Sequence, residues 1–301
     1  MSAASLDLGD SSAAASFESA VERAQGALLD AGLSTPHALV LAGLGAGLLP
    51  ERLSDGIEAF VPDDPRFGPW AGLPVRQGRL GGLLLWVLDD RGIDAPHDRS
   101  RPWLSALPIW VAAAAGARLM LHTSAGAELR AEGGIEPGGL AVAVDHLNLS
   151  GLSPLTGLGE SRYGPLFPDQ TRVHDPALRA CLHQASNQRG IPLTEVIVGC
   201  TLGPAVETPA EQAWFARAGA QVSVQGLASP VIAAAHAGLG LAALTAVVQS
   251  RGERVDLRRI LERAERLAPA LEDLFLTAAP AITELAVELD EPLLPRMHDE
   301  S

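Results

Sequence analysis

Seven apolar runs of strand length, separated by helix-like stretches, are what most narrows the folds open to this chain. They read HALVLAG (37–43), GLLLWVL (82–88), ARLMLHT (117–123), LAVAVDH (140–146), EVIVGCT (195–201), AQVSVQG (220–226) and LGLAALTAVV (239–248). Their apolar residues run on rather than alternate, which marks strands covered on both faces. A sheet buried in that way needs helices on either side. Helix starts are legible between the runs. Asp175-Pro176 and Ser229-Pro230 each place a capping side chain before a proline suited to the first helical position. TPAE at 208–211 predicts a capping box, with Thr208 as cap and Glu211 three residues on. A last helical pattern runs from about Asp256 into the 280s. There is no internal repeat and no linker. The expectation is therefore a single α/β domain over 15–290, a central twisted mixed β-sheet flanked by helices, with tails at 1–14 and 291–301. With 301 residues and 47% hydrophobic content, the chain can fill such a core.

Composition removes several function classes. The net charge of −14 is spread along the chain with no basic stripe, which argues against a nucleic-acid partner. All 22 basic residues are arginines, so neither a Schiff-base lysine nor a phosphate-loop lysine is available. Cys181 and Cys200 form no CxxC pair, as expected of a reducing, cytoplasmic setting. The N-terminal residues lack the basic and apolar blocks of a signal peptide. The segment 231–248 has the length of a membrane span. Its Gly238-Leu239-Gly240 break and central His236 instead predict a buried helix followed by a buried strand, and no membrane partner. No cluster of His, Cys and carboxylates has metal-ligand spacing, so no metal is expected.

Chemistry is expected where the strands end. LVLAGLGAGLLPERL (39–53) carries Gly43, Gly45 and Gly47 between a strand and a helix-like segment. Glycines there let backbone N–H groups approach an anion. A tight strand-to-helix turn explains the same residues, and Leu48 stands where a dinucleotide fingerprint needs a third glycine. Four further segments follow in order: HTSAGAE (122–128), VDHLNLSG (144–151), LGPAVETPAE (202–211) and GAQVSVQGLASPVIAAAHAGL (219–239). In this order and spacing they resemble the trimeric purine nucleoside phosphorylases, a family that includes the methylthioadenosine phosphorylases. The resemblance spans roughly residues 20–270, with DHLNL and GPAVET its most specific pieces.

What the resemblance implies is phosphorolysis of a purine nucleoside to free base and pentose 1-phosphate. Inorganic phosphate would be co-substrate, with no other cofactor, and the assembly a homotrimer. Glu207 matches the glutamate that reads the N–H edge of a 6-oxopurine, a fitting partner for two adjacent donors. Val206 falls where the family places an aromatic wall, and Gln225 falls in the base site. Gln249 occupies the position that bonds purine N7 as charge develops, one methylene longer than the family's asparagine. Phosphate would fall to Gly43, Arg76, Arg91 and Ser124, and the ribose to His97. Ala42, Ile93 and Gly226 stand where the family carries phosphate-binding side chains. From the residues alone, Glu207 also reads as an acid favouring a helix start, Gln249 as a polar strand end, and His97 as a surface partner of Asp98. A non-catalytic purine binder or scaffold, and a nucleoside hydrolase using water, are the competing functions on the same fold.

Overall fold

Strand β1 (Ala38–Ala42) shows why an unbroken apolar run folds as it does. Leu39 and Leu41 enter one core and Ala38 and Val40 the other, all four fully buried. The structure is a computed structural model that describes residues 11–43, 49–90 and 98–290. In chain order α1 (Ser11–Asp30) precedes β1, followed by β2 (Ser54–Phe60), β3 (Pro74–Leu80) and β4 (Leu83–Asp89). Then come α2 (Leu107–Ala114), β5 (Leu119–Glu128), β6 (Gly139–Asn148), α3 (Pro176–Arg189) and β7 (Leu193–Thr201). The chain continues through α4 (Pro209–Ala218), β8 (Val222–Gln225), α5 (Ala228–Ala237), β9 (Gly240–Gln249) and α6 (Leu257–Asp290). Helix α1 opens at Ser11, inside the stretch read as a tail.

All seven apolar runs are strands of one mixed sheet, ordered β2-β3-β4-β1-β5-β8-β7-β6-β9. Strand β9 returns to pair with β5 along nearly its whole length, so β5, β8, β7, β6 and β9 form a closed ring. Strands β2 and β3 are additional; they form an antiparallel edge beside β4. Their sequences are polar, and in β2 only Ala59 is buried, so no apolar run announced them. One face of the sheet packs on α1, α2 and α5 through residues such as Phe17, Trp110 and Val231. The other packs on α3 and α6 through Leu178, Leu182, Leu274 and Phe275. Truncating Leu274 to Ala removes a fully buried side chain from this second core; denaturant unfolding should show a loss of roughly 2–5 kcal/mol.

The caps largely follow the sequence. Asp175 accepts a hydrogen bond from Leu178 N, and Thr208 and Glu211 form the reciprocal capping box. Ser229-Pro230 is a correction: α5 begins at Ala228, its cap position is Leu227, and Ser229 is buried within the first turn. Proline is tolerated there because first-turn N–H groups have no intrahelical acceptor. Residues 231–248 fold as the expected helix and strand, separated at Gly238, whose φ of 71° ends α5 in the left-handed region. No helix among the described residues is long and apolar enough to cross a membrane.

Candidate functional site

The topology brings three strand ends to one place. At Gly126 strand β5 is flanked by β8 through Val224 and by β9 through Val247. A Cβ on Gly126 would lie 2.6 Å from Thr245 Cγ2 and 2.8 Å from Ser223 O, so only glycine lets the strands close here. Gly126→Ala should cost roughly 1–3 kcal/mol through overpacking, measured by chemical denaturation. Beside this seam lies a cavity of about 170 Å³, lined by Ala125–Ala127, Val206, Glu207, Ser223, Gln225, Val248, Gln249 and Ile260. Four residues singled out from the sequence, Val206, Glu207, Gln225 and Gln249, therefore meet in one cavity. They come from the β7–α4 loop and the ends of β8 and β9.

Glu207 is held from behind by two hydroxyls. Thr201 Oγ1 donates to Oε1 at 2.6 Å, and Ser223 Oγ donates to Oε2 at 3.3 Å. The capping box of α4 starts at the next residue, which fixes the loop that carries the carboxylate. Gln225 donates from Nε2 to Ala205 O at 3.1 Å. Gln249 is buried and donates from Nε2 to Glu253 O at 2.9 Å. The turn that follows is tightly bound. Glu253 accepts from Ser250 N, from Arg259 and from Arg263, while Gln212 Oε1 accepts from Gly252 N. The hydrogen bond from Arg263 is the main cause that brings the Glu253 carboxyl down to about 2. Thr201, Ser223 and Glu253 carry no motif of their own, so sequence reading passed over them.

Of the residues expected at phosphate, Gly43, Arg76 and Ser124 are described, and none of them lines this cavity. Gly43 N is already shared between Thr123 O (3.1 Å) and Thr123 Oγ1 (2.9 Å). Ser124 is buried, with its hydroxyl on Leu244 O and Thr245 Oγ1. Arg76 stands on β3, two strands away from β1, and forms an ion pair with Glu58 at 2.6 Å. Gly226 has a φ of 78°, a conformation that disfavours any residue with a side chain. Arg91, Ile93 and His97, with Gly45 and Gly47, lie outside the described residues. His146, at the end of β6, shares a hydrogen bond with His174 at 3.1 Å. No group of three or more His, Cys, Asp and Glu among the described residues is placed to hold a metal ion.

Residues 50–279 match the family model described as the phosphorylase superfamily. Purine nucleoside phosphorylase 1 of Bacillus subtilis is 25% identical over 221 residues, covering 71% of this chain and 79% of the relative. The Bos taurus purine nucleoside phosphorylase is 28% identical over 258 residues, covering 79% and 86%. Among solved structures, isoform 2 of the Schistosoma mansoni purine nucleoside phosphorylase, in complex with cytosine and ribose-1-phosphate, superposes with a TM-score of 0.78. That match covers 93% of this chain and 99% of the other at 21% identity, a likeness of fold.

Proposed function

The chain belongs to the phosphorylase superfamily, and from that premise we propose that it binds a purine or purine nucleoside in the Glu207 cavity and splits the nucleoside with phosphate. The observation that carries this reading is the convergence of Glu207, Gln225, Gln249 and Val206 on one cavity. Glu207 would take the N–H edge of the base and Gln249 would stand at the opposite edge. Val206 leaves one wall aliphatic where a stacking ring would otherwise sit.

Phosphate is the weaker half of the site. Gly43 and Ser124 already direct polar groups into the protein, Arg76 is paired, and Ala42 and Gly226 offer no side-chain donor. Each missing charge-assisted hydrogen bond weakens anion binding by roughly 1.5–3 kcal/mol. Slow phosphorolysis that fails to saturate at low phosphate is expected, with Arg91 as a candidate anchor and His97 near the sugar. The test follows base release from inosine, guanosine and methylthioadenosine, with and without phosphate. Fast turnover saturating at low phosphate would refute the weak-anion reading. Base release independent of phosphate would identify water as the nucleophile, and purine binding with no release would identify a non-catalytic binder.

We further propose a homotrimer with the Asp145–Leu155 segment at the contact. The loop that follows leaves Phe167 82% exposed, and a subunit contact over it would bury that ring. Light scattering should give three chains per particle; a monomer at micromolar concentration would refute it. Both cysteines are free thiols, which suits a cytoplasmic setting.

A further inference from the structure

A carboxylate lies against the end of β1. A Cβ added to Gly43 would collide with Asp90 Oδ2 and Thr123 O and lie 3.1 Å from Asp90 Cγ, so glycine alone admits this acid beside the strand. The sheet register puts it there. Strand β1 runs parallel to β4 on one side and to β5 on the other, with Ala42 level with Asp89 and Thr123. Asp90 is thus the first residue past β4, beside Gly43, the first past β1. The two neighbouring acids differ: Asp89 is exposed, whereas Asp90 is half-buried. Gly43 gives its own N–H to Thr123. Of the described arginines, Arg52, which follows the glycine-rich stretch, donates to the buried Glu272 on α6 at 3.0 Å, and Arg76 is paired with Glu58.

We propose that Asp90 sets this chain's selectivity against phosphate: its carboxylate lies at the Gly43 strand end and repels a second anion there. The inference rests on the reading of Gly43 as the phosphate side of the site. A glycine at a strand end suits an anion because it allows close approach to the backbone. The same opening suits the protein's own carboxylate, which is tethered and so is present at every phosphate concentration. An anion brought within a few ångströms of it meets a repulsion that is screened less in a half-buried place than in open water. Weak phosphate binding then has a positive cause, an acid in place, besides the side-chain donors that Ala42 and Gly226 do not supply. Removing one charge should therefore raise phosphate affinity with no donor added.

The test follows inorganic phosphate in two ways. One is the concentration that half-saturates base release from inosine. The other is the dissociation constant read from the gain in unfolding free energy as phosphate is added, against sodium chloride of matched ionic strength. Asp90→Asn keeps the shape and removes the charge, and phosphate affinity should rise about tenfold or more. Asp90→Ser, smaller and equally neutral, should show the same gain and serves if the amide variant fails to fold. Asp89→Asn makes the same change in net charge one residue away, at an exposed position, and should shift phosphate affinity by less than about twofold. Unchanged affinity in both Asp90 variants would overturn the inference, while base release that still depends on phosphate would leave the phosphorolysis reading standing. An equal gain in Asp89→Asn would also overturn it, as an effect of net charge alone. A tenfold gain in phosphate binding with no base release from any of the proteins would overturn phosphorolysis and uphold Asp90 as the residue that excludes phosphate.

Discussion

Acidification from pH 6.5 to 4 should remove most of this protein's stability, before its ion-paired carboxylates take up protons. Among the described residues three histidines are almost wholly buried: His122 on β5, His174 before α3 and His236 on α5. Burial pushes each of them from 6.5 down to about 4. At His174 the neighbouring His146 and Arg179 act in the same direction, against Asp145. The unfolded chain takes up these protons below about pH 6.5, and the native state takes them up only below about 4. Throughout that window the unfolded state binds more protons, so stability falls as pH falls. Each group contributes about 3 kcal/mol at the lower end, and three together, about 9 kcal/mol, fall within the roughly 5–15 kcal/mol of an ordinary domain. Asp64 and Glu253 are displaced the other way, to about 2, chiefly by hydrogen bonds from Arg66 and Arg263. Their contribution is present above the usual carboxylate range and is lost only as pH falls towards 2, a separate window.

The three imidazoles are not equivalent. His236 Nδ1 accepts from Trp110 Nε1 at 2.9 Å, so its ring is fixed in the form that protonation would break. His122 has neither ring nitrogen satisfied, although it lies between Leu41 and Ala243 in the middle of the sheet. An unpartnered buried polar group costs roughly 1–3 kcal/mol. His122→Leu should therefore stabilise the protein at pH 7 and stabilise it more at pH 4.5, with the pH slope of urea unfolding reduced by one proton. A slope identical to wild type would show that His122 does not titrate in this window.

The sequence made the buried half of the fold legible, because strands covered on both faces must be apolar throughout. It hid β2 because an edge strand facing solvent needs no apolar run, Ser54–Phe60 being exposed at all but Ala59, and it hid β3 because Gln77 and Gly78 occupy two of its buried positions and Arg76 and Arg79 interrupt the rest. It also hid the return of β9 to β5, since the ladder that runs from Leu119 to Ala127 joins two apolar runs far apart in the chain, and no pattern within either run names its partner. Glu207 was legible through the GPAVET stretch and its capped helix. Thr201 and Ser223 were not, because each is one hydroxyl inside an apolar run, and only the register of β7 beside β8 brings them to the same carboxylate. For phosphate the reverse holds. Gly43, Ser124 and Arg76 stand out by position along the chain, and their bonds to Thr123, Leu244 and Glu58 appear only in three dimensions.

Glu207→Gln should weaken purine binding by roughly 1.5–3 kcal/mol, tenfold or more, while leaving the fold intact. The substitution keeps the shape and one acceptor oxygen. That oxygen will be retained by Thr201, whose 2.6 Å bond is the shorter of the two, which turns the new NH2 towards Ser223. The Ser223 hydroxyl can rotate to accept, so the protein itself loses little. The ligand loses an acceptor and the charge, and meets a donor where its own N–H is directed. Thr201→Val makes the complementary change: Glu207 keeps its charge but loses its shorter anchor. Purine affinity should then fall by less than in Glu207→Gln, because Ser223 still holds the second oxygen. Calorimetry with hypoxanthine and guanine on both variants, beside their denaturant midpoints, separates the cases. Equal affinity of Glu207→Gln and wild type would reduce Glu207 to an acid at a helix start. A larger loss in Thr201→Val than in Glu207→Gln would mean that loop geometry, rather than the carboxylate, recognises the base.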